Sequence, residues 1–127
     1  METPPQNFKI HVDSSFDTDT RIGKLAWVVY MNNELVSTNI LPFVHASSNN
    51  ELEKRVFSLA NQVYEGAKIY TDSAAVWHNW KGKNKNRIYL IDHNDNLADD
   101  LLHGKTISPT YIKVPTFRFE YIRVKED

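Results

Sequence analysis

The chain contains no cysteine. That absence excludes disulfides, thiolate zinc sites and thiol nucleophiles, and it fits a reducing compartment. No apolar run approaches membrane-spanning length, and the N-terminus, METPPQN, lacks the pattern of a signal peptide. The expectation is a cytoplasmic, intracellular protein with no membrane attachment. Charge of one sign is also lacking. The net charge is −1, so any attraction to nucleic acid must come from a local patch. No internal repeat and no low-complexity segment divides the chain, and 127 residues fit one domain and one core. Residues 1–7 read as a flexible lead-in and 8–127 as the domain, expected to be a monomer.

What is present begins with alternation. FKIHVD, 8 to 13, places Phe8, Ile10 and Val12 on one face of a strand that Asp13 ends. KLAWVVYM reads as a second strand, covered on both faces because its apolar content is nearly continuous. A tight NNE turn then leads into LVSTNILPFV, antiparallel to it. SSNNELEKRVFSLANQVYEG is the clearest helix, with Leu52, Val56, Leu59, Ala60 and Val63 at helical spacing, a Ser48–Glu51 capping box and Gly66 as its stop. AKIYTD is a fourth strand, SAAVWHNWK a second helix and KGKNKNR a basic loop. RIYLI is a short apolar run of either type, DNLADDLLHG a helix with a glycine stop, and FRFEYIRV the expected last strand. Hairpin-linked strands followed by strand–helix alternation give an α/β fold, a mixed sheet with helices on its faces.

The carboxylates carry the chemistry. Asp13 ends the first strand and Asp72 the fourth, and ligand sites in α/β sheets collect at such strand ends. Two like charges there repel unless a divalent cation holds them. Glu51 is occupied by the capping box, whereas Glu53 precedes Val56, Phe57 and Ala60 by three, four and seven residues and so borders the buried face. Each acid also has an ordinary reading: Asp13 in a turn, Asp72 as the N-cap of the next helix, Glu53 as surface charge. The order acid, hairpin, acid on a helix, acid at a strand end favours a shared site.

VDSSF, SSNNELEKRVFSLA and IYTDSAAV, in this order, resemble the ribonuclease H family of cellular enzymes and reverse transcriptases, from about residue 8 onward. The TDS segment followed by a helix is the most specific piece. The resemblance implies a five-stranded mixed sheet, its first three strands antiparallel, with helices on both faces. It implies that Asp13, Glu53 and Asp72 are catalytic and bind two Mg²⁺ (or Mn²⁺) ions, and that the reaction is hydrolysis of the RNA strand of an RNA–DNA hybrid. It also implies nucleic-acid contacts. Ser14 would meet the RNA strand, and Asn49 and Asn50 the minor groove. Trp77, Trp80, Lys81, Lys83 and Lys85 would grip the DNA strand.

Two departures from the family stand out. FDTDTRIG replaces the usual glycine-rich turn between the first two strands. The family's fourth acid lies on a helix after the last strand, and FRFEYIRV is followed only by KED. The preferred expectation is a domain lacking that final helix, with Glu126 or Asp127 as imperfect substitutes. The other option is Asp99 in LADDLL, which requires RIYLI to be the last strand, early though it comes. DTDT, 17 to 20, reads as a turn, His93 and His78 as lone histidines, and His11 as a packed strand residue. The rival functions are a non-catalytic module binding nucleic acid or a protein, and a related nuclease cutting DNA.

Overall fold

The computed structural model describes residues 7–80 and 86–117. Three strands, β1 (Phe8–Asp17), β2 (Ile22–Met31) and β3 (Glu34–His45), form an antiparallel meander. Helix α1 (Asn49–Val63) then crosses to β4 (Lys68–Thr71), which pairs parallel with β1. Helix α2 (Ala74–Trp80) precedes β5 (Arg87–Leu90), parallel to β4. A 3₁₀ turn, His93–Asp95, leads into the short helix α3 (Leu97–Leu102). The sheet order is β3-β2-β1-β4-β5. A five-stranded mixed sheet with its first three strands antiparallel is the architecture that the family resemblance implied.

Both faces of the sheet are covered, as the apolar run in β2 required. On one face Ile10, Val12, Leu25 and Val29 pack with Leu52, Val56 and Phe57 of α1 and Val76 and Trp77 of α2. On the other, Ala26, Val28 and Tyr30 pack with Ala98 of α3 and with Ile107. Strand alternation thus divides β2 between two cores. The segment after α3 returns across this second face. It is pinned near the β2–β3 turn by Leu35 N–H to Pro109 O and Tyr111 N–H to Asn33 O, and at β5 by Phe117 N–H to Leu90 O, each 2.9 Å.

Several expectations need correction. RIYL is the fifth strand of the sheet, so it does not come too early, and the helix bearing Asp99 follows it. FRFEYIRV, beyond Phe117, lies outside the described residues, as do Glu126 and Asp127. Strand β1 does not end at Asp13 but runs on to Asp17, paired there with β2 alone. The buried stripe of α1 is Leu52, Glu53, Val56, Phe57 and Ala60, whereas Val63 is 63% exposed. The stripe is turned by about one residue from the predicted one, and this brings Glu53 inside. The capping box is altered too: Ser48 Oγ accepts from Glu51 N–H at 3.2 Å, but the Glu51 carboxylate takes the N–H of Ser47 at 2.7 Å.

Gly23 lies where β1, β2 and α1 meet. A Cβ there would overlap both the Ser15 carbonyl oxygen and the Leu52 side chain. Backbone cannot yield as a flexible side chain can, so Gly23→Ala is expected to cost about 1–3 kcal/mol. Urea unfolding measures this, and a loss below about 0.5 kcal/mol would show that the junction yields freely.

Candidate metal centre

Parallel pairing between β1 and β4 runs from Lys9↔Lys68 to His11↔Tyr70 and then stops. Two residues beyond the last pair in each segment stand Asp13 and Asp72. Asp72 is the first residue after β4, and Asp13 lies where β1 has lost its partner on that side. Helix α1 brings Glu53 from its buried stripe. One carboxylate oxygen from each of the three residues lies within 4.8 Å of the others.

The ordinary readings of these acids fail. Asp13 and Glu53 are each 5% exposed, so neither is surface charge. Helix α2 is capped by Ser73, whose hydroxyl accepts from Val76 N–H at 3.2 Å, and this frees Asp72 from that role. Glu53 Oε1 accepts from the Ser14 hydroxyl at 2.6 Å and from Ser14 N–H at 3.2 Å. Asp72 Oδ2 accepts from the Asn96 amide at 3.3 Å. With the acids ionised, Glu53 Oε2 is buried and has no donor.

Burial is the largest influence on all three acids, and it pushes each above the usual carboxylate range. For Asp13 the charges of Asp72 and Glu53 add to it. The Ser14 hydroxyl opposes the shift of Glu53, and the Asn96 amide that of Asp72. His93 is a lesser influence on Asp72, in the opposite direction to burial. Each pair at this separation repels by about 3 kcal/mol at an effective dielectric near 20. A charge-assisted hydrogen bond returns about 1.5–3 kcal/mol, so the donors from Ser14 and Asn96 do not offset three repelling pairs together with burial. Protons or a cation must supply the rest. All-oxygen donors and an orphaned buried oxygen fit a hard divalent ion such as Mg²⁺ or Mn²⁺.

The predicted nucleic-acid residues divide. Ser14 is buried within the site, where its hydroxyl hydrogen goes to Glu53. Asn49 Oδ1 lies 2.8 Å from the same hydroxyl, a second acceptor within its reach. Asn49 and Asn50 are exposed at the first turn of α1, beside the acids. Trp77 is a correction: it is 1% exposed, deep in the core. Trp80 packs on the same core at its margin, its ring 5.4 Å from that of Phe57. The two tryptophans share a face, as their spacing required, but it is the inner face. Lys81, Lys83 and Lys85 lie outside the described residues.

Sequence reasoning missed Asn96. It is fully buried, and its amide donates to Val12 O at 2.9 Å as well as to Asp72, while its Oδ1 caps α3 through Ala98 N–H at 3.0 Å. The signal for it was an asparagine just before LADDLL, in N-cap position. Asp99 follows three residues later, and its charge is among those that raise Asp72. His93, set aside as a lone histidine, starts the turn that leads to this helix.

No protein-family model matches the chain, and comparison with curated proteins finds no relative. The fold must therefore be argued from its own geometry. Sheet order, strand direction and the buried acidic triad together resemble a ribonuclease H-like fold.

The uncompensated triad has a measurable consequence. Asp13 is raised from 3.8 to about 9. Between those values the folded chain holds a proton that the unfolded chain has released, so stability falls as pH rises through that window. His11 acts in the opposite sense. Burial lowers it from 6.5 to about 3, and its effect is confined below about pH 6.5. From pH 7 to 9 the acids act without it. In chelator, the melting temperature of the wild type is expected to fall more steeply over that range than that of Asp13→Asn, with the variant the more stable at pH 8. Parallel curves would contradict the repulsion.

Proposed function

We propose that the chain is a divalent-cation-dependent phosphodiester hydrolase of ribonuclease H-like type, acting on the RNA strand of RNA–DNA hybrids. The observation that carries this reading is the convergence of Asp13, Glu53 and Asp72 from β1, α1 and β4, buried and without a compensating lysine or arginine among the described residues. When bound, Mg²⁺ supplies Lewis acidity and a water of lowered pKa at the scissile phosphate.

The chain's own residues supply placement. Asp13, Glu53 and Asp72 would hold the ions. Ser14 fixes one oxygen of Glu53 through two hydrogen bonds and leaves the other toward the shared centre. Asn96 ties Asp72 to the backbone of β1 and so sets the distance between Asp72 and Asp13. Such orientation of ligands by neighbouring donors is commonly worth 10–100-fold in metal affinity or activity. Asp99, on the helix after the fifth strand, is close enough for its charge to raise Asp72 and is the candidate for a further ligand. Asn49 and Asn50, exposed at the start of α1, are the groups offered to the hybrid's minor groove, where a 2′-hydroxyl distinguishes RNA from DNA.

The non-catalytic alternative rested on a missing acid-bearing helix after the last strand. Helix α3 after β5, carrying Asp99, supports the catalytic reading over it.

The test is cleavage of a labelled RNA strand presented as RNA–DNA hybrid, as duplex RNA and alone, with Mg²⁺, with Mn²⁺ and with chelator, beside labelled duplex DNA. The expected result is metal-dependent cleavage of the hybrid, lowered at least 100-fold in Asp72→Asn while the circular dichroism spectrum is unchanged. Cleavage that survives in Asp72→Asn or in chelator would overturn the assignment, and cleavage of duplex DNA alone would transfer it to a DNA nuclease.

A further inference from the structure

The face of the sheet that carries Asp13 and Asp72 is ordered in rows along the parallel strands. His11, Tyr70 and Tyr89 stand in register across β1, β4 and β5, two residues before the level of the acids. Lys9, Lys68 and Arg87 stand in register two residues earlier still. The basic row is therefore about 13 Å from the acidic one, measured along the strands. The returning segment after α3 crosses above it. Between that segment and the sheet is a cavity of about 420 Å³, within the range of small-ligand sites.

The lining is unusual in composition. Lys9, Lys68 and Lys113 contribute three ammonium groups, and Tyr70, Tyr89 and Tyr111 three aromatic rings. Among the described residues the ion pairs are Glu51–Arg55, Asp92–His93, Asp99–His103 and Asp100–Lys105, none of which engages these lysines. Lys9 is held in place: its Nζ donates to Asn33 Oδ1 at 2.7 Å and lies 4.5 Å from the centre of the Tyr111 ring. Burial lowers its pKa, and Lys68 and Lys113 lower it further by like charge. The rings are fixed too. Tyr70 stacks with Tyr89 at 5.2 Å and 20°, and with His11 at 4.9 Å and 28°. Leu97 N–H donates to His11 Nδ1 at 3.0 Å, so His11 carries its proton on Nε2 and donates it to the Tyr111 hydroxyl at 3.1 Å.

We propose that this cavity is a nucleotide-binding site, with the phosphates of a nucleoside diphosphate on Lys9, Lys68 and Lys113 and its base against Tyr89, the end ring of the His11–Tyr70–Tyr89 stack. Lysines that repel one another, with no carboxylate paired to them among the described residues, are relieved by a polyanion, and an aromatic ring fixed by stacking takes a base without sequence preference. Three converging cations suit a diphosphate better than a single phosphate. The proposal stands apart from the acidic triad, since no group in it is a candidate metal ligand.

The experiment is calorimetric titration of the full chain with ADP in excess chelator, which removes any contribution of the metal centre. Saturable one-to-one binding is expected, weakened by salt and reduced at least tenfold in Lys68→Gln/Lys113→Gln. Lys113→Glu alone should also weaken it, and Lys24→Gln, on β2 outside this cavity, should leave it unchanged. Pyrophosphate and adenosine should each bind at least tenfold more weakly than ADP. Absence of saturable ADP binding, or binding that survives both lysine variants, would overturn the site. Pyrophosphate binding as tightly as ADP would overturn the role of the Tyr89 ring.

Discussion

The register between β1 and β4 governs the rest of this molecule. His11 opposite Tyr70 sets Asp13 and Asp72 each two residues beyond the last pair, where their carboxylates meet. A slip of one residue would bury one acid in the opposite core and dissolve the site. The register is therefore held from several sides. Ile10 and Ile69 are fully buried beneath α1, the imidazole and tyrosine rings stack on the other face, and Asn96 ties Val12 to Asp72. Much of the packing stabilises a placement that is itself electrostatically costly.

That cost explains features that packing alone does not. A buried glutamate inside an apolar helix stripe, with one oxygen satisfied and the other orphaned, is a poor choice for a core. A fully buried asparagine spending its amide on one backbone carbonyl and one aspartate is a specific choice. Both become intelligible if the stable form of the protein carries positive charge between the acids. Unusual polar burial in a fold this small points to function because the same atoms, replaced by hydrocarbon, would make a better core.

The triad was legible in the sequence because each acid sits at a landmark. Two follow apolar strands, and one lies at helical spacing from Val56, Phe57 and Ala60. The alternation of elements indicated a mixed sheet with helices on its faces, and the family resemblance supplied its five strands. Other features were not legible, for physical reasons. Strand β5 has four residues, too few for a period to separate strand from helix. Trp77 and Trp80 were correctly placed on one face, but seven residues of helix do not reveal which face is inward; contact with Phe57 and Val76 decides that. Asn96 reads locally as a helix cap, and its second role depends on β1, 84 residues away in the chain.

The same strands carry lysines at one level, aromatic rings at the next and carboxylates beyond, so one sheet face separates two opposite charge problems. For the acidic one, we propose that the triad holds a divalent cation. The measurement that tests it most directly is Mn²⁺ titration of the full chain followed by electron paramagnetic resonance, in which bound Mn²⁺ is distinguished from free ion. The account predicts loss of the free-ion signal on adding protein, its return when excess Mg²⁺ competes, and no loss with Asp13→Asn/Glu53→Gln. A free-ion signal undiminished by the folded wild-type protein would contradict it.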